Sequence, residues 1–162
     1  MTSTKVLGAL AAVALLAACE STSDQNAVAS GTGAAGALSG PGPRPGSQED
    51  LVANVGDRVF FDFDSSVVRG DQRPTLERQA RWMQQYPQVA VQVEGHTDER
   101  GTREYNLALG QRRANAARDI LVASGVASSR VSTISYGKDR PAALGSNEEA
   151  WAQNRRAVTV VR

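Results

Sequence analysis

The chain has 162 residues, enough for one ordinary domain with some length to spare. Its 18 Lys and Arg residues are balanced by 17 Asp and Glu, which argues against binding nucleic acid or anionic lipid by bulk charge. Aromatic residues are only 5% of the chain, too few for a base-stacking platform, so an RNA-binding α/β sandwich is disfavoured as well.

The N-terminus reads as a targeting segment. Lys5 is the only charge before Glu20, and Val6 to Leu16 is an unbroken run of apolar and small residues leading through Ala17 and Ala18 to Cys19. A positive start, a short apolar core and small residues at a cut site define a secretory signal over residues 1–18. The run is too short for a permanent bilayer span. Cys19 is the only cysteine, so the chain has no internal disulfide and no cysteine metal site. Leu16-Ala17-Ala18-Cys19 resembles the lipobox of bacterial lipoproteins. That resemblance implies that Cys19 carries the lipid and, with Glu20 rather than Asp following it, that the anchor lies in the outer membrane. Acyl chains supply about 0.8 kcal/mol per buried CH₂, enough for stable anchoring when several are present.

From residue 20 to about 47 the chain is rich in Gly, Ala, Ser and Pro and has neither helical nor strand periodicity. Such a segment buries too little surface to offset its ordering entropy. Residues 19–47 are therefore read as the lipidated N-terminus and a tether, with a root-mean-square span on the order of 30 Å.

The folded domain is expected over 48–162. Arg58 to Phe63 reads as a first strand. Pro74 opens a helix that Leu76, Ala80 and Met83 mark on one face and Pro87 stops. Val89 to Glu94 alternates strictly and predicts a half-buried strand. A second helix covers about Glu104 to Ser124, with Leu107, Ala114, Ala117 and Leu121 inward and Gly125 as cap. Val131 to Tyr136 is a third strand, Asn147 to Asn154 a short helical turn, and Ala157 to Val161 a last strand. The order β-α-β-α-β-(α)-β predicts an α/β (α+β) fold with helices on one face of a mixed sheet. Phe60, Trp82, Met83 and Trp151 are read as core or edge-packing residues.

Polar residues gather between the second strand and second helix, from Glu94-Gly95-His96-Thr97-Asp98 through Glu99-Arg100-Gly101-Thr102 to Arg112-Arg113. A loop leaving the carboxyl end of a strand is a common place for a binding site. Gly95 and Gly101 would permit tight turns. His96 is the only histidine, no metal-ligand spacing accompanies it, and no activated nucleophile is evident, so His96 is read as structural and no metal or cofactor is expected. An Asp and an Arg brought together hold a zwitterion: the carboxylate accepts from an ammonium and the guanidinium forks onto a carboxylate. Spacing alone leaves open whether Asp98 and Arg113 meet, or whether Asp98 caps a turn and Arg112 and Arg113 are solvated helix charges.

Three stretches are specific: residues 93–102, then Glu104-Tyr105-Asn106 and Leu109-Gly110-Gln111-Arg112-Arg113-Ala114. With Val59-Phe60-Phe61-Asp62-Phe63-Asp64, Ser135-Tyr136-Gly137-Lys138 and Asn154-Arg155-Arg156-Ala157, they closely resemble the peptidoglycan-associated lipoproteins (Pal) and, more broadly, the OmpA-like C-terminal domain. The resemblance covers nearly all of residues 58–162. It implies an OmpA-like peptidoglycan-binding domain whose ligand is the free D-centre of diaminopimelate in the stem peptide. It implies Asp98 and Arg113 as the main pair, Phe63 and Asp64 lining the pocket, and Arg100, Thr102 and Leu109 completing contacts to the peptide. It also implies that Arg112 makes a structural or surface ion pair, that Asn106 fixes the loop to the helix start, and that Arg155 braces the domain. Partners implied are peptidoglycan, the outer membrane through Cys19, and TolB with the other components of the Tol–Pal system of envelope integrity and division. Gly110 lies inside a helix, and Arg103 stands where Pal sequences often have Pro. Two other functions compete: a wall-modifying hydrolase, and a flagellar stator, which would need a retained transmembrane helix.

Overall fold

The computed structural model of the protein describes residues 42–162. The expected signal segment, the lipidation site Cys19 and the tether up to residue 41 lie outside the described residues.

Ordered contacts begin before the expected domain start. Ser47 caps a short helix α1, Gln48–Asp50, its hydroxyl accepting from the Asp50 N–H at 3.3 Å. Helix α1 runs on into a π-helical turn, Leu51–Val55. The Asp50 carboxylate accepts from the Gly46 N–H at 2.8 Å and from Trp82 Nε1 at 2.9 Å, which ties the end of the Gly/Pro stretch to the domain. This helical segment has no signature in the sequence, because Leu51 is its only fully buried apolar residue and one such position makes no period.

Strand β1, Arg58–Phe60, is shorter than the expected 58–63. Phe61 still bonds to the Arg155 carbonyl at 2.9 Å, but Asp64 then takes a left-handed backbone (φ 52°) that turns the chain away. Helix α2, Arg73–Gln85, carries Pro74 in its first turn and buries Leu76, Ala80, Trp82 and Met83. Strand β2, Val91–His96, begins two residues later than expected because the Val89 N–H is taken by the Tyr86 carbonyl in the turn around Pro87. The alternation holds within it, with Val91 and Val93 buried and Gln92 and Glu94 half-buried. Helix α3 is Arg103–Ala123, β3 is Val131–Gly137, α4 is Glu148–Asn154 and β4 is Arg156–Val161.

The four-stranded sheet has the order β1-β4-β2-β3. Strands β2 and β3 are parallel, and β4 is antiparallel to both β1 and β2. Strands β1, β2 and β3 therefore run the same way, as two helix crossovers require, and β4 is inserted between the first two. Val59, Val91, Val93, Val131 and Ala157 pack against Leu76, Ala80, Met83, Ala114, Ala117 and Leu121, so α2 and α3 cover one sheet face. Each large apolar side chain buried there contributes about 1.5–3 kcal/mol. The chain enters at the pole where β2 starts. Gln48 donates to the Thr159 carbonyl at 3.3 Å and accepts from the Val161 N–H at 2.7 Å, and Val161 pairs with Val91. The carboxyl ends of β1 and β2 meet the start of α3 at the opposite pole.

Candidate ligand-binding site

At that opposite pole β2 slips register against β3 between Gly95 and His96, an irregularity of the kind that re-aims side chains beside sites. The loop that follows is fixed from both sides. Thr102 caps α3, its hydroxyl accepting from the Tyr105 N–H at 3.2 Å. Asn106, buried, donates to the carbonyls of Arg100 (2.9 Å) and Thr102 (3.0 Å) and so pins the loop to the helix start. Lys138 Nζ bonds the Glu99 and Gly101 carbonyls at 3.2 and 2.7 Å. Gly101 has φ 93°, a turn conformation that suits glycine. Arg103 is the first residue of α3, a position that also accepts Pro, and here it pairs with Asp139 at 2.8 Å.

A cavity of about 170 Å³ opens over this loop, lined by Phe63, Asp64, Thr97, Asp98, Arg100, Gly101, Tyr105, Asn106, Leu109 and Arg113. It gathers six of the seven residues singled out in the sequence. Thr102 is not in the lining; its hydroxyl accepts the helix-cap bond from the Tyr105 N–H. Thr97, Gly101, Tyr105 and Asn106 join the lining, although nothing in their sequence context marks them for a ligand role.

Asp98 is buried. Burial alone would raise its pKa, but the Arg100 side chain, the Arg100 N–H and the nearby Arg155 charge outweigh this and hold the carboxyl below its ordinary range. Oδ1 accepts from Arg100 N at 3.1 Å and Arg100 Nε at 3.3 Å, and Oδ2 accepts from Arg100 Nη2 at 2.7 Å. Arg155 Nη1 stands 3.5 Å from Oδ2. Arg155 also donates to the Phe61 carbonyl at 3.1 Å and to Glu148 at 2.5 Å, so it braces β1, α4 and the site together.

Arg113 is fully buried inside α3 and is no solvated helix charge. Its Nε, Nη1 and Nη2 donate to the carbonyls of Ser65 (2.8 Å), His96 (2.9 Å) and Asp62 (3.0 Å). A guanidinium has five N–H donors, so these three bonds leave two for a ligand. Burial lowers its pKa to about 10, against the opposing pull of Asp98, and it stays charged at neutral pH. Arg112, by contrast, is exposed and faces the Tyr105 ring at 5.9 Å. Its expected ion pair is not among the salt bridges of the described residues.

The rim is aromatic and acidic. The Arg100 guanidinium lies between the rings of Phe63 and Trp151, 4.0 Å from each centroid. The Tyr105 hydroxyl donates to Asp64, whose carboxylate raises the phenol pKa. His96 is buried behind the site with its pKa lowered to about 4, by burial first and then by the Arg156 and Arg140 charges. It is neutral at working pH and contributes its backbone carbonyl, not its ring, to Arg113. Among the described residues no cluster of three His, Cys, Asp or Glu side chains is placed to hold a metal. A pocket with a carboxylate on one wall and a guanidinium on another suits a ligand bearing both charges.

The OmpA family model matches residues 60–155. The chain is 55% identical over 162 residues to a peptidoglycan-associated lipoprotein of Mesorhizobium japonicum, covering 99% of this chain and 94% of that protein. The crystal structure of the peptidoglycan-associated lipoprotein of Burkholderia pseudomallei superposes with a TM-score of 0.64 at 46% identity, over 65% of this chain and 90% of that one. The C-terminal domain of MotB from Helicobacter pylori follows the same fold, with a TM-score of 0.61 at 27% identity over 65% and 84% of the two chains. No helix among the described residues is long and apolar enough to cross a membrane. With the family match spanning more than half its length and the Mesorhizobium protein aligned nearly end to end, the chain belongs to the OmpA family and, within it, to the peptidoglycan-associated lipoproteins.

Proposed function

We propose that this protein is a non-enzymatic outer-membrane lipoprotein that grips peptidoglycan through the diaminopimelate of the stem peptide. The observation that carries the reading is that Asp98 and Arg113 line one small cavity, the first a carboxylate and the second a guanidinium with two N–H donors to spare. The D-centre of diaminopimelate presents an ammonium and a carboxylate on one carbon. Asp98 takes the ammonium and Arg113 forks onto the carboxylate. Phe63, Asp64 and Leu109 form the walls, and Arg100 faces the peptide. Thr102 acts through the helix it caps.

Cys19 carries the lipid, the anchor sits in the outer membrane, and the domain faces the periplasm. The protein acts within the Tol–Pal system, and TolB binds a surface overlapping the pocket. These assignments rest on the lipobox and on the family.

The test is cosedimentation of the chain from Glu20 onward with purified sacculi. Wild type is expected to pellet with the wall, and Asp98→Asn is expected to stay in solution while folded. A folded wild type that does not pellet would overturn the reading and make TolB the first partner to try. Release of soluble muropeptides on prolonged incubation would instead establish the hydrolase.

A further inference from the structure

Asp98 already holds a cation where the ligand's ammonium is to go. An ionised carboxylate offers about four acceptor positions on its two oxygens. At Asp98 Arg100 fills three of them, through N, Nε and Nη2 at 3.1, 3.3 and 2.7 Å, and Arg155 Nη1 stands 3.5 Å from Oδ2 without a hydrogen bond. The fourth position is crowded by the Arg155 cation, so an incoming ammonium gains the carboxylate by displacing one of these groups. The Arg100 N–H is part of the backbone. Arg155 is buried, with 7% of its side chain exposed, and is tied to Phe61 and Glu148. The Arg100 side chain is 32% exposed and is the one donor free to leave.

We infer that Arg100 is a built-in competitor that the ligand ammonium must displace from Asp98, and that Trp151 is the positioning residue that sets how firmly it is held. Trp151, like Phe63, stacks on the guanidinium with its ring centroid at 4.0 Å, and its own Nε1 is anchored to Glu99 at 3.0 Å. A cation held between two aromatic faces and bonded twice to one carboxylate resists removal. Arg155 Nη1 is buried and has no hydrogen-bond partner, so a positive group stays beside Asp98 whichever cation occupies it. The competition falls on an ammonium, which takes the place of Arg100 at Asp98, and spares a neutral amide, which leaves Arg100 where it is. This inference rests on the zwitterion reading above.

The test uses the full-length chain and two probes, the tripeptide L-Ala-γ-D-Glu-meso-diaminopimelate with its D-centre amine free or acetylated. Calorimetry gives the ratio of the two affinities. In wild type the free amine is expected to bind more tightly. In Arg100→Gln the ratio is expected to rise about five- to tenfold in favour of the free amine, because its competitor is gone. In Trp151→Leu it is expected to rise about two- to fivefold. A residue that merely shaped the pocket would shift both affinities together and leave the ratio alone. An unchanged or lower ratio in Arg100→Gln, with wild type still preferring the amine, overturns the competitor and spares the site. No preference in wild type overturns the zwitterion reading, and the competitor with it. Should Trp151→Leu fail to fold, Arg100→Gln decides by itself.

Discussion

Gly95 of β2 and Gly110 of α3 touch backbone to backbone: a Cβ on residue 95 would lie 1.8 Å from the Gly110 carbonyl oxygen. Gly95 is thus kept for close approach and not for the tight turn its sequence context suggested. The same contact explains a glycine in the middle of a helix, where it costs about 1 kcal/mol relative to Ala. Gly95→Ala meets backbone and has no escape, so it is expected to cost about 3 kcal/mol or more. Gly110→Ala meets the Ser135 hydroxyl at 2.3 Å and the Gly95 carbonyl oxygen at 2.9 Å, so it also strains the backbone contact, but with a smaller backbone overlap, and is expected to cost less than Gly95→Ala. Urea midpoints of the two variants check the order.

Arg113 carries structure as well as charge. Arg113→Ala removes the guanidinium from both its carbonyl partners and the pocket. The buried His96 carbonyl would then lose its donor, at about 1–3 kcal/mol, and the part-buried Ser65 and Asp62 carbonyls would lose their ties to α3. Arg113→Ala is expected to lower stability by about 3 kcal/mol or more in addition to losing binding. Asp98→Asn is nearly isosteric and is expected to lose binding with a smaller stability change. Denaturation run beside cosedimentation separates the two effects.

His96 makes stability depend on pH in a defined window. Its folded pKa, about 4, lies below the unfolded value of about 6.5, so between these pH values the unfolded chain binds more protons. The contribution is fully present above pH 6.5 and is lost as pH falls towards 4. Between pH 7 and 5 the loss is expected to be about 2 kcal/mol. His96→Gln should flatten that slope, as read from urea midpoints at the two pH values. An equal slope in the variant would assign it to other groups.

Thr102 separates capping from binding. Thr102→Ala removes the acceptor for the Tyr105 N–H and is expected to cost about 1 kcal/mol, with Thr102→Ser close to wild type. Because Thr102 is outside the lining, the affinity of the folded Ala variant for the tripeptide is expected to change less than threefold, about 0.6 kcal/mol. A tenfold loss would restore it as a ligand contact.

The strands and helices were legible because their apolar periods are local and strong: Leu76, Ala80 and Met83 on α2, and Val91 and Val93 on β2. The strand ends were not, because β1 stops where Asp64 turns and β2 starts where Tyr86 releases the chain. That Asp98 and Arg113 line one cavity was expected from charge chemistry joined to a family motif, and spacing alone left it open. The cage around Arg100 was not, since Trp151 bonds a residue 52 positions away and nothing local to α4 marks it as part of the site. Nor does the sequence reveal that Arg113 spends three donors on carbonyls contributed by two separate strand ends.

The chain enters the domain beside the start of β2, and the pocket sits beyond its end. Tension between an anchor on the incoming chain and a ligand in the pocket would act along the strands. Hydrogen bonds between β2 and its two neighbours would then be strained together, in shear, and not opened one after another as in peeling an edge. Under mechanical load such a domain yields as a unit, which suits a link that must hold while a membrane and a wall are drawn apart.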